Sequence, residues 1–448
     1  MPLAHLSAPQ LLVVSFVGLI VLGWLGFLGL PGLYEGAPMG WIDALFISAS
    51  AVCVTGLSTI DVPAVLSFWG ELWLLLLIQA GGLGILTFAA MVARVTGRRA
   101  GLDVEEASGT FTSVMALGTP GSLMRTILGV TLACEAVGAL GLLIVWGGDH
   151  ELGRAVWLSV FHSVSAFCNA GFSLFSDSLI GQQRNAPILL LVAGLIVLGG
   201  IGFPVLHDLR SRARGKRRLS THTRLTLSLT GFLILMGAVV FLALEWDRQL
   251  AGLGLADRIV NALFMSITPR TAGFNTVDYG AVSNDSVLLT IALMWIGGAP
   301  GSTAGGAKVT TVALLALLVF ARLRGDRHVS VGGRTVPDET VNRATGLATG
   351  MVLLLFVFTL ALLAFEPAGL APDAERTRMV QSVFEVQSAL STVGLSMNLT
   401  PTLADGSKLA LVLVMLLGRV GPLAVLGAMV VRTHHGDFRY PHEDVLIG

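Results

Sequence analysis

Residues 43–58 read DALFISASAVCVTGLS, and the same design returns three times: LSVFHSVSAFCNAGFS at 158–173, NALFMSITPRTAGFN at 261–275 and QSVFEVQSALSTVGLS at 381–396. Each segment places a phenylalanine (Phe46, Phe161, Phe264, Phe384) nine or ten residues before a glycine (Gly56, Gly171, Gly273, Gly394). Leu or Phe and then Ser or Asn follow each glycine. A second shared signature comes 24–28 residues later, as GGLGIL (81–86), GGIGFP (199–204), GGAPGS (297–302) and GRVGPL (418–423). A period of about 100–120 residues reads as one supersecondary unit copied in tandem. The unit is an outer helix, a short re-entrant helix ending in a turn, and an inner helix. The copies are assigned to 1–105, 106–215, 216–335 and 336–432, with a tail at 433–448.

The setting for these units is a bilayer. Of 448 residues, 54% are apolar before the 54 glycines are added and only 12% are charged; mean hydropathy is +0.79. No soluble surface can be built from so few polar groups, which excludes a cytosolic enzyme and a disordered chain. Zero net charge offers no basic face to nucleic acid. Three cysteines (Cys53, Cys134, Cys168) have no metal-ligand spacing and form no disulfide framework. The first apolar stretch is long enough to span and lacks a basic leader, so it does not read as a signal peptide. Stretches long enough to cross fall near 11–30, 68–93, 123–146, 186–208, 224–245, 286–320, 343–365 and 408–431. The four glycine segments between the members of each pair are too short to span.

Of the 28 Lys and Arg residues, 18 fall in the loops after crossings two, four and six and in the tail, against 8 on the other side. Lys308 and Arg419 lie in or beside apolar stretches. This bias places both termini in the cytoplasm and the four re-entrant segments on the outer side. The cluster Arg210–Arg218 is mainly part of that signal, and it also suits anionic lipid or a regulatory partner. His434-His435 reads as solvated.

Non-helical backbone at membrane depth survives only where protein or a water-filled path satisfies its polar groups. Four equivalent turns around a pseudo-fourfold axis can aim their carbonyls at one line, as in ion filters. Glycine permits positive φ and close approach, and the preceding helix directs its negative dipole end toward the cavity. The expected ion-binding positions are Val54, Thr55 and Gly56; Asn169, Ala170 and Gly171; Thr271, Ala272 and Gly273; and Thr392, Val393 and Gly394. Glycines that merely pack helices are the competing reading, disfavoured by four copies at matching offsets. The phenylalanines read as core contacts.

The quartet VTGLS, NAGFS, TAGFN and STVGLS resembles the filter loops of the Trk/Ktr/HKT superfamily of potassium and sodium transporters, over nearly the whole chain. Eight crossings without an extra N-terminal pair are most similar to the Ktr membrane subunit, KtrB. The resemblance implies an all-α, potassium-channel-like fold in one chain, with potassium bound at the four glycine turns. It also implies potassium uptake across a prokaryotic plasma membrane, a homodimer, and a cytoplasmic nucleotide-binding ring that regulates opening. No covalent cofactor is implied, and activation by sodium stays open. Asn169 departs from the pattern, since the other turns carry Thr nearby.

Two features lie below the expected filter. The run 286–320 would be roughly 50 Å long as unbroken helix, well beyond the hydrocarbon thickness. At its middle stand Gly297, Gly298, Ala299, Pro300, Gly301, Ser302, Thr303, Ala304, Gly305, Gly306, Ala307 and Lys308. Glycine and proline oppose helix there, so an intramembrane loop acting as a gate is expected, as the resemblance also implies; a packing kink is the plainer alternative. Lys308 caps the second half-helix or snorkels. Arg419 stands where the other inner helices carry Gly82, Gly200 and Gly298. A charge at that depth costs about 2.5–3.5 kcal/mol even on insertion scales, so it faces water or a partner. Two readings stand: an electrostatic barrier in the pore, or an ion pair with Glu135 or Glu385. No HExxH, GxSxG or paired intramembrane aspartates point to an enzyme. A sodium-permeable or sodium-coupled secondary transporter remains the rival to a potassium pore.

Overall fold

A computed structural model describes residues 8–96, 120–215, 219–331, 334–367 and 371–421. The expected tail 433–448, with His434-His435, lies outside the described residues. So do Lys216, Arg217 and Arg218 of the basic cluster and the last part of the 408–431 crossing. Among the described residues, four helices are long and apolar enough to cross a membrane: α1 (Ala8–Gly29), α4 (Pro120–Trp146), α8 (Thr221–Glu245) and α12 (Asp338–Phe365). They are the outer helices of the four units. Their flanks carry large exposed apolar side chains, such as Ile144 (83% exposed), Leu235 (66%) and Phe356 (62%). In a chain this apolar those side chains meet lipid.

Each outer helix is followed by a shorter one whose C-terminal part is buried: α2 (Trp41–Val52), α5 (Leu152–Cys168), α9 (Leu255–Ile267) and α13 (Pro372–Leu390). Each unit then closes on an inner segment. These are α3 (Phe68–Thr96), α6 (Ala186–Gly200) with α7 (Phe203–Ala213), α10 (Asn284–Trp295) with α11 (Val309–Leu323), and α14 (Asp405–Val420). A two-residue hairpin, β1 (Ser330–Val331) with β2 (Arg334–Thr335), joins the third unit to the fourth.

Two of the expected crossings are not single helices. The run 186–208 breaks: α6 stops at Gly200 and α7 leaves it at 99°. Gly202 adopts φ +85°, Pro204 offers no N–H to continue the ladder, and the Phe203 amide donates to Gly301 O at 3.0 Å instead. The run 286–320 opens, as expected, into a loop at 296–308. That loop is closed by Gly297 N–H to Ala307 O (2.8 Å) and Val309 N–H to Gly298 O (3.0 Å).

The units are tied into a ring by polar links at every junction. Glu71 of α3 meets Arg154 (3.3 Å) and accepts from Trp157 of α5. Asn261 of α9 donates to Gln183 O, ahead of α6, at 2.7 Å. Asn398, after α13, donates to Asp278 at 2.8 Å, and Lys408 of α14 closes the circle on Asp43 of α2 at 2.8 Å. Within a unit, serines two residues after the phenylalanine bind the buried helix to carbonyls of the outer one. Ser48 donates to Ile20 O, Ser163 to Glu135 O and Ser266 to Ile234 O, at 2.7–2.8 Å. Glu245 and Glu366, at the ends of α8 and α12, accept from residues opening α10 and α14 (Ser283 and Ser286; Ala404 and Ser407). There a carboxylate complements the positive end of the helix dipole. Phe46, Phe161, Phe264 and Phe384 are fully buried core contacts.

Candidate functional site

The four glycine turns meet. A Cβ built on Gly56 would strike Ala170 O and lie 3.1 Å from Gly171 Cα. One on Gly171 would lie 2.7 Å from Ala272 O and 2.9 Å from Gly273 Cα, and one on Gly273 would lie 2.5 Å from Val393 O and 3.2 Å from Gly394 Cα. One on Gly394 would strike Thr55 O and lie 3.0 Å from Gly56 Cα. Each turn therefore faces the carbonyl before the next glycine, in the order one, two, three, four and back to one. No side chain fits inside this ring.

The backbone of the turns repeats as closely as their order. Val54, Asn169, Thr271 and Thr392 all have positive φ, between 49° and 76°, and the glycines two residues on have φ between 71° and 96°. The middle residues Thr55, Ala170, Ala272 and Val393 do not. Positive φ at β-branched residues costs about 1–3 kcal/mol each and persists only where the surroundings over-determine it. Sign alternation also takes successive carbonyls out of the up-and-down order of an extended strand, so neighbouring oxygens can face one side. The hydroxyls of Thr55, Thr271 and Thr392 are buried with no hydrogen-bond partner, and a buried orphan of this kind calls for a polar guest.

What over-determines the turns is a hydroxyl four residues after each phenylalanine. Ser50 and Ser388 accept from the N–H of Gly56 and Gly394 (3.1 and 3.0 Å), and Ser165 and Thr268 donate to Phe172 O and Phe274 O (2.8 and 2.5 Å). The backbone carbonyl of the same four residues accepts from Thr55, Ala170, Ala272 and Val393 N–H at 2.8–2.9 Å. This hydroxyl column stands in plain view in the aligned segments, although the glycine spacing alone does not single it out.

Directly beneath, the inner signature glycines admit the ends of the buried helices. Gly81, Gly199 and Gly418 lie against the carbonyls of Val52, Phe167 and Leu390, so closely that a Cβ would collide. In the third unit Gly297 faces the 305–307 loop instead. The position that carries Val52, Phe167 and Leu390 in the other units is Arg270. By sequence it counts among the outer-side cations, yet it is 8% exposed, with Nη2 on the Thr230 hydroxyl at 3.3 Å.

The loop 296–308 reaches under the ring. Thr303 Oγ1 donates to Phe167 O (3.1 Å) and Thr303 N–H donates to Gly199 O (3.2 Å), while Ala299 N–H donates to Gly200 O (2.8 Å). Gly305 packs on Thr392 and Gly306 on Ser391. Asn169, oriented to donate to Ala166 O and Ile196 O (3.1 and 3.2 Å), also adjoins the Thr303 hydroxyl. Arg419, 4% exposed, donates Nη1 to Thr303 O and Nη2 to Gly81 O (2.8 Å). The ion pair with Glu135 or Glu385 is not what holds it. Glu135 accepts from Gln79 at 3.3 Å, and Glu385 accepts from Ser396 and from Thr400 at 3.1 Å. Arg419 is thus a bridge from the fourth unit to the loop of the third and to α3 of the first, made through backbone carbonyls. Lys308 stands at the N-cap of α11, one of its two expected roles, but its side chain makes no cap bond and turns Nζ back onto Ala304 O at 2.7 Å.

Comparison with known proteins agrees with this architecture. The TrkH model, described as a cation transport protein, matches residues 27–437. The chain is 35% identical to the potassium/sodium uptake protein NtpJ of Enterococcus hirae, covering 99% of this chain and 98% of that one. It is 34% identical to the Ktr system potassium uptake protein B of Bacillus subtilis, covering 99% and 97%. The crystal structure of the potassium transporter TrkH from Vibrio parahaemolyticus superposes with a TM-score of 0.76 at 21% identity, over 96% of this chain and 86% of that one. With four channel-like units on a pseudo-fourfold axis and a family match along most of its length, the chain is a multi-pass membrane transport protein, not an enzyme, and belongs to the TrkH family of cation transport proteins.

Proposed function

We propose that the protein takes up potassium through a central pore. The units 1–105, 106–215, 216–335 and 336–432 each contribute one turn to its filter. The observation that carries this reading is the closed ring of glycine turns, each packed on the carbonyl preceding the next glycine. Peptide oxygens from Val54–Gly56, Asn169–Gly171, Thr271–Gly273 and Thr392–Gly394 replace the hydration shell of a dehydrated cation. The orphan hydroxyls of Thr55, Thr271 and Thr392 add oxygen ligands. Entry is downhill by about 2.3 kcal/mol per 100 mV for a monovalent cation.

The loop 297–306 with Lys308 is the gate under this filter, and Arg419 is both its latch and a positive charge on the ion's route. The bias of Lys and Arg supports cytoplasmic termini in a prokaryotic plasma membrane. The relatives named as parts of Ktr systems support a multi-component assembly. We read it as a homodimer on a cytoplasmic nucleotide-binding ring. The name of NtpJ, a potassium/sodium uptake protein, favours a second reading in which sodium also permeates or is coupled.

Flux into liposomes containing the purified protein, compared for K⁺, Rb⁺, Na⁺ and Li⁺, tests both. Potassium and rubidium well ahead of sodium and lithium is the expected order. Equal leakage of all four overturns the filter, and sodium matching potassium while lithium stays well behind selects the second reading.

A further inference from the structure

The residue immediately after each phenylalanine differs among the units (Ile47, His162, Met265 and Glu385), and the last three contact the segment beyond their own glycine turn. In the second unit His162, fully buried, places Nδ1 2.8 Å from Leu158 O, which can only accept. That commits Nδ1–H and leaves Nε2 facing the segment beyond the turn. Nε2 lies 3.0 Å from Ser173 Oγ and 3.4 Å from the Leu174 N–H, which donates to it. In the fourth unit Glu385, also fully buried, accepts from Ser396 Oγ and from Thr400 Oγ1 (3.1 Å), and the two hydroxyl oxygens lie 3.1 Å apart.

Ser173 and Ser396 are equivalent, two residues past Gly171 and Gly394. The first unit has Ser58 at that place, but Ile47 offers it nothing, and Ser58 turns to its own loop at Ile60 O (2.6 Å). In the third unit the only such contact in the described residues is the weak one from Thr276 N–H to Met265 Sδ at 3.5 Å. Units two and four face each other across the ring. The fourfold filter is therefore braced by strong polar struts on one diagonal and by apolar packing on the other.

We infer that Glu385 and His162 are positioning residues for ion selectivity, holding the oxygens of 392–394 and 169–171 apart through Ser396 and Ser173. A carbonyl cage rejects the smaller sodium ion only if it resists closing around it, and that resistance comes from what stands behind the turn. The inference rests on the proposed pore. A buried hydrogen bond worth about 1 kcal/mol corresponds to roughly fivefold in an equilibrium.

The test is the K⁺:Na⁺ flux ratio in liposomes. Glu385→Ala and His162→Leu should each lower it about fivefold, Glu385→Gln should restore it to within about twofold because its amide oxygen still accepts, and Met265→Leu should leave it alone. Should Glu385→Ala fail to fold, Ser396→Ala and Ser173→Ala remove the same struts from the loop side and should lower the ratio alike. An unchanged ratio in Ser396→Ala and Ser173→Ala overturns the inference, as does an equal loss in Met265→Leu. Gly394→Ala separates the two levels. If it changes flux or ratio while the strut variants do nothing, only this inference fails. If it too changes nothing, the pore reading fails and the inference with it.

Discussion

Replacing Arg419 by Gln removes two charge-assisted bonds, to Thr303 O on the loop and to Gly81 O on α3. Net of the water each group would otherwise find, a hydrogen bond to a charged group contributes about 1.5–3 kcal/mol. Taking the low end for both gives about 3 kcal/mol. This is on the order of a 100-fold shift in the equilibrium between a seated and a released loop. The loop keeps its other ties, including Ala299 N–H to Gly200 O and Thr303 Oγ1 to Phe167 O, so it loosens without unfolding. Potential-driven Rb⁺ uptake into liposomes, with no regulatory partner present, should rise by one to two orders of magnitude. Arg419→Lys, whose single ammonium reaches one carbonyl well, should rise by roughly tenfold. A glutamine variant that elutes and melts like the parent, yet passes Rb⁺ at the parental rate or slower, refutes the latch.

Deleting Ser302–Gly305 removes Thr303 and the segment packed on Thr392; constitutively higher Rb⁺ flux that no longer responds to nucleotide in the assembled system is expected. Gly171→Ala places a methyl 2.7 Å from Ala272 O at a positive φ, and tracer flux should show uptake lost or K⁺ preference abolished. Glu366→Ala leaves the Ala404 N–H and Ser407 hydroxyl at the start of α14 without their acceptor. A stability loss of about 1–3 kcal/mol should appear as a lower melting temperature in detergent, with the flux ratio intact. Asp43→Asn cuts the link from α2 to Lys408 that closes the ring. It is partly exposed, so its effect should stay below about 1 kcal/mol and shrink with added salt in the same melting assay.

The four-unit plan is legible because tandem copies keep spacing when residue identity drifts: phenylalanine, turn glycine and inner glycine sit at matching offsets through all four. The break in the sixth crossing is legible for a local reason, since glycine and proline at the centre of an apolar run disfavour helix wherever they stand. The bend at Gly202 is carried by similar residues, and the run around it still reads as continuous helix. What completes that break is Gly301 O, an acceptor almost 100 positions away.

Arg419 marks the boundary most clearly. Its sequence announces a buried cation that needs a partner, and carboxylates are the obvious candidates. The partners are instead carbonyls of Thr303 and Gly81, groups every residue carries and no sequence pattern distinguishes. His162 and Glu385 are equally visible as letters, but their partners follow from how far each turn folds back on its own helix.

Composition, period and glycine placement by themselves determined a bilayer protein of four like units with one broken inner helix, because hydropathy and backbone freedom are local properties of the chain. Only the folded structure decided which carbonyl meets which glycine, where the buried cation finds its acceptors, and which turns are hydrogen-bonded to the helix behind them. Those outcomes depend on backbone atoms brought together from different units, and such atoms are chemically alike along the whole chain until packing sets their distances.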